Sequence, residues 1–428
     1  MTVHPTPYRG SNVAPAGVVD AYGARDLALL SDAELCEGVA GLLAVPRRGP
    51  ADSFVLHAPL ELLARTALLP LVHPAARERA RQRIVWLGAA YEAAGEAVKD
   101  PKIRSYADPE AAVAHLVHAI DAGELDEVDG AATWLASVLA PRALAGALAD
   151  DVIPRLSAAG HGPIFLYQLP RVAPRSAAAQ QCVRGLVREL ARRPDWKLSW
   201  HRQRSAPLAA TDDLVERLRR PRSPGDPGSD FIHPTMSLVE RSGLAAEVLD
   251  APTRSSDVAR ASRELARVAA WSMLQDDPTH APYGWSHCLS MPQGVLGIAD
   301  CCADPRDAIA VAATYVLGFR ATQGTVALDP EWRPERPRES DALAALGGSP
   351  SEAAATAWYA PDHKIPDLVA ALATRAAVHP DAHLAKYTLA CFDAAAADRD
   401  ARRLHLAAAA FLSAWWSRVP IEGDPLAP

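Results

Sequence analysis

The stretch from His379 to Cys391 reads His-Pro-Asp-Ala-His-Leu-Ala-Lys-Tyr-Thr-Leu-Ala-Cys. Pro380 suits the first position of a helix, where its missing N–H leaves nothing unpaired, and Asp381 in the first turn complements the positive end of the helix dipole. A helix is therefore expected to start at Pro380. On it His383 and Lys386 share one face, which continues apolar through Leu389 and Ala390 toward the core. An imidazole and an amine would thus point inward together. Burying such groups without partners costs roughly 2–7 kcal/mol each. Either they are satisfied structurally or they belong to a site.

Three further histidines introduce one local pattern: His57-Ala58-Pro59, His161-Gly162-Pro163 and His280-Ala281-Pro282. In each, the proline can open a helix, and the histidine ahead of it is not locked into a helical turn. Its ring can be aimed at a site in front of the helix end, or it can bond to backbone there. His115, His118 and Asp121 recur along one expected helix. A metal site there would also recruit ligands from facing helices, and an exposed polar stripe is the competing reading. His73, His201, His233, His363 and His405 stand in no recognisable chemical context and are assigned to surface or core. No Gly-x-Gly-x-x-Gly follows a strand, and there is no Walker loop and no Gly-x-Ser-x-Gly elbow, which argues against a nucleotide fold or a serine hydrolase.

The elements that must position these residues read as helices. Of 428 residues 49% are hydrophobic, dominated by Ala and Leu, with ten Trp at helix positions and almost no alternating β-branched runs. This predicts an all-α fold, either one large multi-helical domain or two helical halves around a central pocket. The expected organisation is a lead-in over 1–22, a helical half over 23–220, a Pro/Gly/Ser-rich linker or loop over 221–229 and a second half over 230–428. Ser31-Asp32-Ala33-Glu34 reads as a capping box, and Asp108 is expected to cap a helix that ends near Gly123. Helices are expected from Pro59 to Leu69 and from Pro74 to Val98, packed as a hairpin with Trp86, Leu87 and Tyr91 inward. Further helices are expected over Asp126–Leu139, Pro141–Ala159, Ser176–Arg193, Thr235–Leu249, a Ser255-capped run to Leu274, Asp304–Phe319, Pro366–Val378 and Ala401–Trp416, with a Pro-rich excursion over 325–350.

The net charge of −7 provides no general attraction to nucleic acid, and the basic stretches Arg192–Arg204 and Arg217–Arg222 read as solvated faces. Cys36, Cys182, Cys288, Cys301, Cys302 and Cys391 include no Cys-x-x-Cys pair and suit reduced thiols of a cytoplasmic protein. Residues Met1 to Asn12 are polar, so no secretory signal is expected, and no run is long and apolar enough for a transmembrane helix. The oligomeric state is left open.

With these residues in hand, the order of motifs resembles that of the questin oxidase-like family. The resemblance rests on His57-Ala58-Pro59-Leu60 with Glu61 nearby, His161-Gly162, His287-Cys288-Leu289-Ser290-Met291-Pro292, and Asp381-Ala382-His383-Leu384-Ala385-Lys386. It implies an all-α oxygenase of secondary metabolism, of the antibiotic-biosynthesis kind, that uses O2 to open an aromatic polyketide ring of the anthraquinone type. It implies His57, His161, His287 and His383 as metal ligands or substrate contacts, with His280 the alternate to His287. Lys386 beside them would be a neutral ligand, a proton donor, a substrate anchor or a carbamate, and Asp381 would orient one imidazole. With Lys386 as a carbamate, the mostly imidazole, one-carboxylate set would suit iron(II), with NADPH a possible electron donor. The catalytic group would be His383, Lys386 and Asp381. Where the family's second element carries an Arg and another His, this chain has Phe165 and Gln168, which with Tyr387 are expected to line the substrate pocket. A metal-free NADPH- or substrate-driven oxidase of Baeyer-Villiger type, or a non-catalytic helical binding scaffold, are the alternatives.

Overall fold

The computed structural model describes residues 22, 26–48, 53–172, 177–203, 214–229, 231–249, 257–337, 346–419, 424 and 426. The chain enters through α1 (Asp32–Leu43), α2 (Ser53–Leu68), α3 (Arg77–Glu92), α4 (Pro109–Ala122), α5 (Leu125–Val138), α6 (Pro141–Val152) and α7 (Gly162–Val172). It continues through α8 (Ala177–Gln181), α9 (Val183–Ala191), α10 (Leu214–Leu218), α11 (Ile232–Arg241), α12 (Leu244–Leu249) and α13 (Val258–Gln275). It closes with α14 (Ser286–Gly297), α15 (Pro305–Gln323), α16 (Pro350–Tyr359), α17 (Ile365–Val378), α18 (Ala382–Ala397) and α19 (Arg402–Ser417). Beyond helical turns, the regular structure of the described residues is a short antiparallel ribbon, Arg47–Arg48 with Glu96–Ala97, and a bridge between Arg155 and Lys197. The fold is all-α. No helix among the described residues is long and apolar enough to cross a membrane.

Local chemistry sets many helix ends as expected. Ser31 and Glu34 form the capping box of α1, and Asp108 caps α4 by accepting from Ala111 N–H. The hairpin of α2 and α3 forms, with Trp86, Leu87 and Tyr91 buried. Several boundaries move. The helix expected to run to Val98 stops at Glu92, because Glu96 and Ala97 pair with the arginine strand. The run Thr235–Leu249 is two helices, broken where Gly243 takes φ 78. Ser176–Arg193 breaks at Cys182, and Ser176 itself lies outside the described residues. The helix ending near Leu274 is capped by Asp257; Ser255 also lies outside the described residues. Most of the lead-in 1–22, Arg204, and 338–345 of the Pro-rich excursion lie outside them as well.

Several helices go beyond those expected, among them α10, α14 and α16. α14 carries Pro292, Gly294 and Gly297, which read as breakers in sequence, and α16 begins at Pro350 where the Pro-rich excursion was expected to end. Packing explains the glycines of α14. A Cβ at Gly294 would lie 2.7 Å from the Ile164 backbone nitrogen, and one at Gly297 would overlap the Tyr167 ring. Their absence lets α14 lie directly on α7.

The buried apolar side chains make one contiguous cluster from Cys36 to Leu426, which spans both sides of the irregular segment 221–229. Within it four helices close a ring: α2 packs on α7, α7 on α14, α14 on α18, and α18 back on α2. Gly294→Ala is expected to overpack the α7–α14 contact and destabilise the fold by about 1–3 kcal/mol. Thermal unfolding followed by circular dichroism checks this; an unchanged melting temperature would show that the two helices separate freely.

Candidate metal centre

Each helix of that ring brings one histidine to its inner end, by a different local device. His57 lies within α2, with Pro59 inside the same helix, and is not ahead of the helix as expected. Proline's fixed φ is compatible with helix and its missing N–H removes a single bond, so the helix runs through it. His161 precedes α7, as expected, on a turn in which Ala158, Ala159 and Gly160 have φ of 54°, 48° and 65°. A left-handed residue with a Cβ costs roughly 1–2 kcal/mol, so two consecutive alanines there are strained. At Gly160 a Cβ would stand 2.7 Å from the Tyr315 hydroxyl. The turn presents the Ala158 carbonyl to His161 Nδ1 at 3.1 Å.

His287 sits in the first turn of α14, directly after a π-helical turn over Ala281–Trp285. Its Nδ1 donates to the Tyr283 carbonyl. His383 sits in the first turn of α18. That helix starts at Ala382 and not at Pro380, because Asp381 takes an extended conformation as its N-cap. The Asp381 Oδ1 accepts from His383 N–H at 2.7 Å and from His383 Nδ1 at 3.0 Å. Behind it, Arg65 pairs with Glu61 through Nε at 2.7 Å. The same guanidinium donates to the carbonyls of Ala377 and His379, each at 2.6 Å. Arg65 thus caps the end of α17 and holds the segment that delivers Asp381.

The four rings form a closed circuit in the order of their helices. Edge-on contacts link His57 to His161 at 4.6 Å between centroids, His161 to His287 at 5.0 Å, His287 to His383 at 4.9 Å and His383 to His57 at 4.7 Å. All four are buried. Ligating nitrogens of His57, His287 and His383 lie within 4.8 Å of one another, so this buried cluster can bind a metal. His161 stands at the remaining corner, its Nε2 3.0 Å from His57 Nε2, 3.1 Å from His287 Nε2 and 3.2 Å from Lys386 Nζ.

The protons locate themselves from these partners. A carbonyl or carboxylate only accepts from a ring N–H, so His161, His287 and His383 carry their hydrogen on Nδ1 when neutral, and each presents an Nε2 lone pair to the circuit. Burial, then the nearby Lys386 charge, depresses the pKa of His57 and His161 well below the usual histidine value. Burial and the His383 charge do the same at His287, and burial lowers His383. Neutral imidazole is the form that ligates. Burial raises the Asp381 carboxyl, but His383 draws it down further, to a net value below the usual carboxylate range. Burial lowers Lys386 to about 7, against the pull of Asp381 and Glu61.

The remaining candidates separate. His280 is outside the circuit, edge-on to Trp285 at 6.1 Å. Phe165 lines, with His161, Pro59 and Leu60, a cavity of about 30 Å³, the size of a water or a diatomic gas and not of an aromatic ring. Gln168 instead accepts from Arg171 at 3.1 Å, and Tyr387 is fully buried in the core. His115 bonds Tyr106 at 2.6 Å, Asp121 pairs with Arg155 at 2.9 Å and His118 is exposed, so that trio does not converge. His73 and His363 are exposed, His233 stacks on Trp196, and His201 and His405 are buried in the core. Sequence reasoning missed Tyr283, whose ring meets His383 edge-on at 4.8 Å while 38% of the residue remains exposed. Its place after a Pro in a π turn carries no sequence pattern that would have flagged it.

Protein-family models, curated proteins and solved structures contain no match to this chain.

The Lys386 environment has a measurable consequence. Its folded pKa, about 7, lies below the ordinary 10.5, so between these values the unfolded chain holds more protons and stability rises with pH. Metal-free protein is expected to melt at progressively higher temperature from pH 7 to 9. Lys386→Met should flatten that climb and stabilise most at pH 7 and below. Parallel profiles for the two proteins would count against a buried, easily neutralised amine.

Proposed function

We propose that the chain is a metal-dependent oxygenase whose divalent transition ion is held by His57, His161, His287 and His383. One observation carries the reading. The Nε2 of His161 has a single lone pair in the neutral ring, yet three nitrogens crowd it at 3.0, 3.1 and 3.2 Å. One of those neighbours, the Nε2 of His287, itself presents a lone pair, and the two facing lone pairs repel unless a cation stands between them. Imidazole nitrogens at 2.0–2.1 Å from a common ion and at right angles about it are separated by about 3 Å. The spacings of His161 from His57 and from His287 fit that arrangement.

The residues divide the work. Asp381 fixes the tautomer and orientation of His383, the carboxylate–histidine arrangement that raises ligand basicity. Backbone carbonyls of Ala158 and Tyr283 do the same for His161 and His287. Lys386, poised near neutrality, can hold or release a proton at Nζ beside His161. The small cavity at His161 and Phe165 has room for dioxygen. Displacement of the Tyr283 side chain would open His383 to solvent, and an aromatic substrate would come from that side. A redox-active ion such as iron(II) would supply the one-electron steps that dioxygen chemistry requires.

The substrate class rests on the resemblance: the motifs that resemble the questin oxidase-like family are those whose histidines make up the circuit. On that reading the substrate is an aromatic polyketide-like ring, opened oxidatively in the cytoplasm.

The deciding experiment is anaerobic purification with elemental analysis of the parent, His383→Ala and Asp381→Asn. Near-stoichiometric iron is expected in the parent and little in His383→Ala. Asp381→Asn should weaken metal affinity about 10–100-fold. A folded parent that takes up no divalent transition metal would overturn the metal centre and leave a metal-free oxidase or a binding scaffold.

A further inference from the structure

A second cavity lies away from the histidine circuit, between α13, α14 and α18, with a volume of about 420 Å³. Such a volume is within the range of small-molecule sites, roughly 300–1,000 Å³. Its α14 wall is the stripe Leu289, Pro292, Gln293 and Leu296, which helical spacing turns away from His287. None of the circuit histidines lines it. The floor is apolar, formed by these residues with Leu265 and Ala266 of α13.

Its charged rim is unevenly matched. Asp393 is clasped by Arg171 at 2.7 and 2.8 Å, and Asp398 by Arg267 at 2.6 and 2.9 Å. Asp300 is paired with Arg142. Every rim carboxylate is thus neutralised by its own guanidinium. Arg263, half-buried on the same rim, has no hydrogen-bond or ion-pair partner among the described residues, and neighbouring Ser262 contributes a hydroxyl. The net imbalance is one positive charge above an apolar floor. A guanidinium pairs best with a carboxylate, through two parallel hydrogen bonds.

We infer that this cavity is a second ligand site, for an amphipathic monocarboxylate whose apolar body lies on Leu265, Leu289 and Leu296 and whose carboxylate meets Arg263. The site is independent of the metal centre, because α14 separates the two. It would serve as a holding or effector site and not as the place of oxidation.

The test is titration calorimetry of the full-length chain with 2-naphthoate, and with naphthalene-2-methanol as its uncharged counterpart. Expected is one saturable naphthoate site per chain. Arg263→Met should weaken naphthoate binding by about ten-fold, the worth of one charge-assisted contact, and leave the alcohol unchanged. Ala266→Trp, which fills the floor, should abolish both. His383→Ala should alter neither, so loss of the metal centre would not disturb this result. No saturable naphthoate binding by the parent at millimolar concentration, or equal naphthoate affinity in the parent and both cavity variants, would overturn the inference.

Discussion

The lone pair on His161 Nε2 is the point on which the structure turns. Three nitrogens lie within 3.2 Å of it, and burial keeps the imidazoles around it neutral. In water such a cluster would disperse, because lone pairs repel and each ring would prefer a water proton. Inside this fold it is held by groups that have their own reasons to be where they are. The Ala158 and Tyr283 carbonyls belong to tight turns, and Asp381 is a helix cap. Each supplies an acceptor to the outer face of a ring and so turns the ring's basic nitrogen inward.

Those supports are expensive, and they are concentrated at the site. Two alanines in left-handed backbone, a π turn and a buried amine all lie within the same small volume. Strain of this kind persists when surrounding packing over-determines it. Here the surroundings are the four-helix ring, in which α14 meets α7 through glycines and Arg65 locks α17 to α2. The buried Arg65–Glu61 pair is a positioning device more than a source of stability, since desolvation offsets most of its attraction. The same use of arginine recurs at Arg320, which pairs with Asp276 and donates to the Val326 carbonyl. Guanidinium forks tie loops to helix ends throughout this chain.

The site and the larger cavity are arranged on opposite sides of one helix. α14 offers His287 to the circuit and an apolar stripe to the space beside α13. A single helix, buried along almost its whole length and with breakers in its sequence, therefore borders both the histidine circuit and this cavity. Its glycines serve packing on α7, and its proline is accommodated within the helix.

Composition and capping chemistry determined the helical class, the N-cap of α1 at Ser31, the cap of α4 at Asp108 and the inward face of His383 and Lys386, while the His-x-Pro pattern raised His57 and His161 only as candidates alongside His280. These are local matters: a capping side chain meets its own backbone, and a polar residue on an apolar stripe shows at helical spacing. Tertiary structure alone decided the rest. It chose His287 over His280, because the π turn between them rotates α14 by an amount no residue pattern encodes. It made Pro59 an interior residue, and it built α14 across Pro292 and two glycines because contact with α7 outweighs their poor propensity. It also set the small size of the cavity at Phe165 and removed Gln168 and Tyr387 from it. A sequence specifies which faces are apolar; how far apart two such faces come to rest depends on every side chain packed between them.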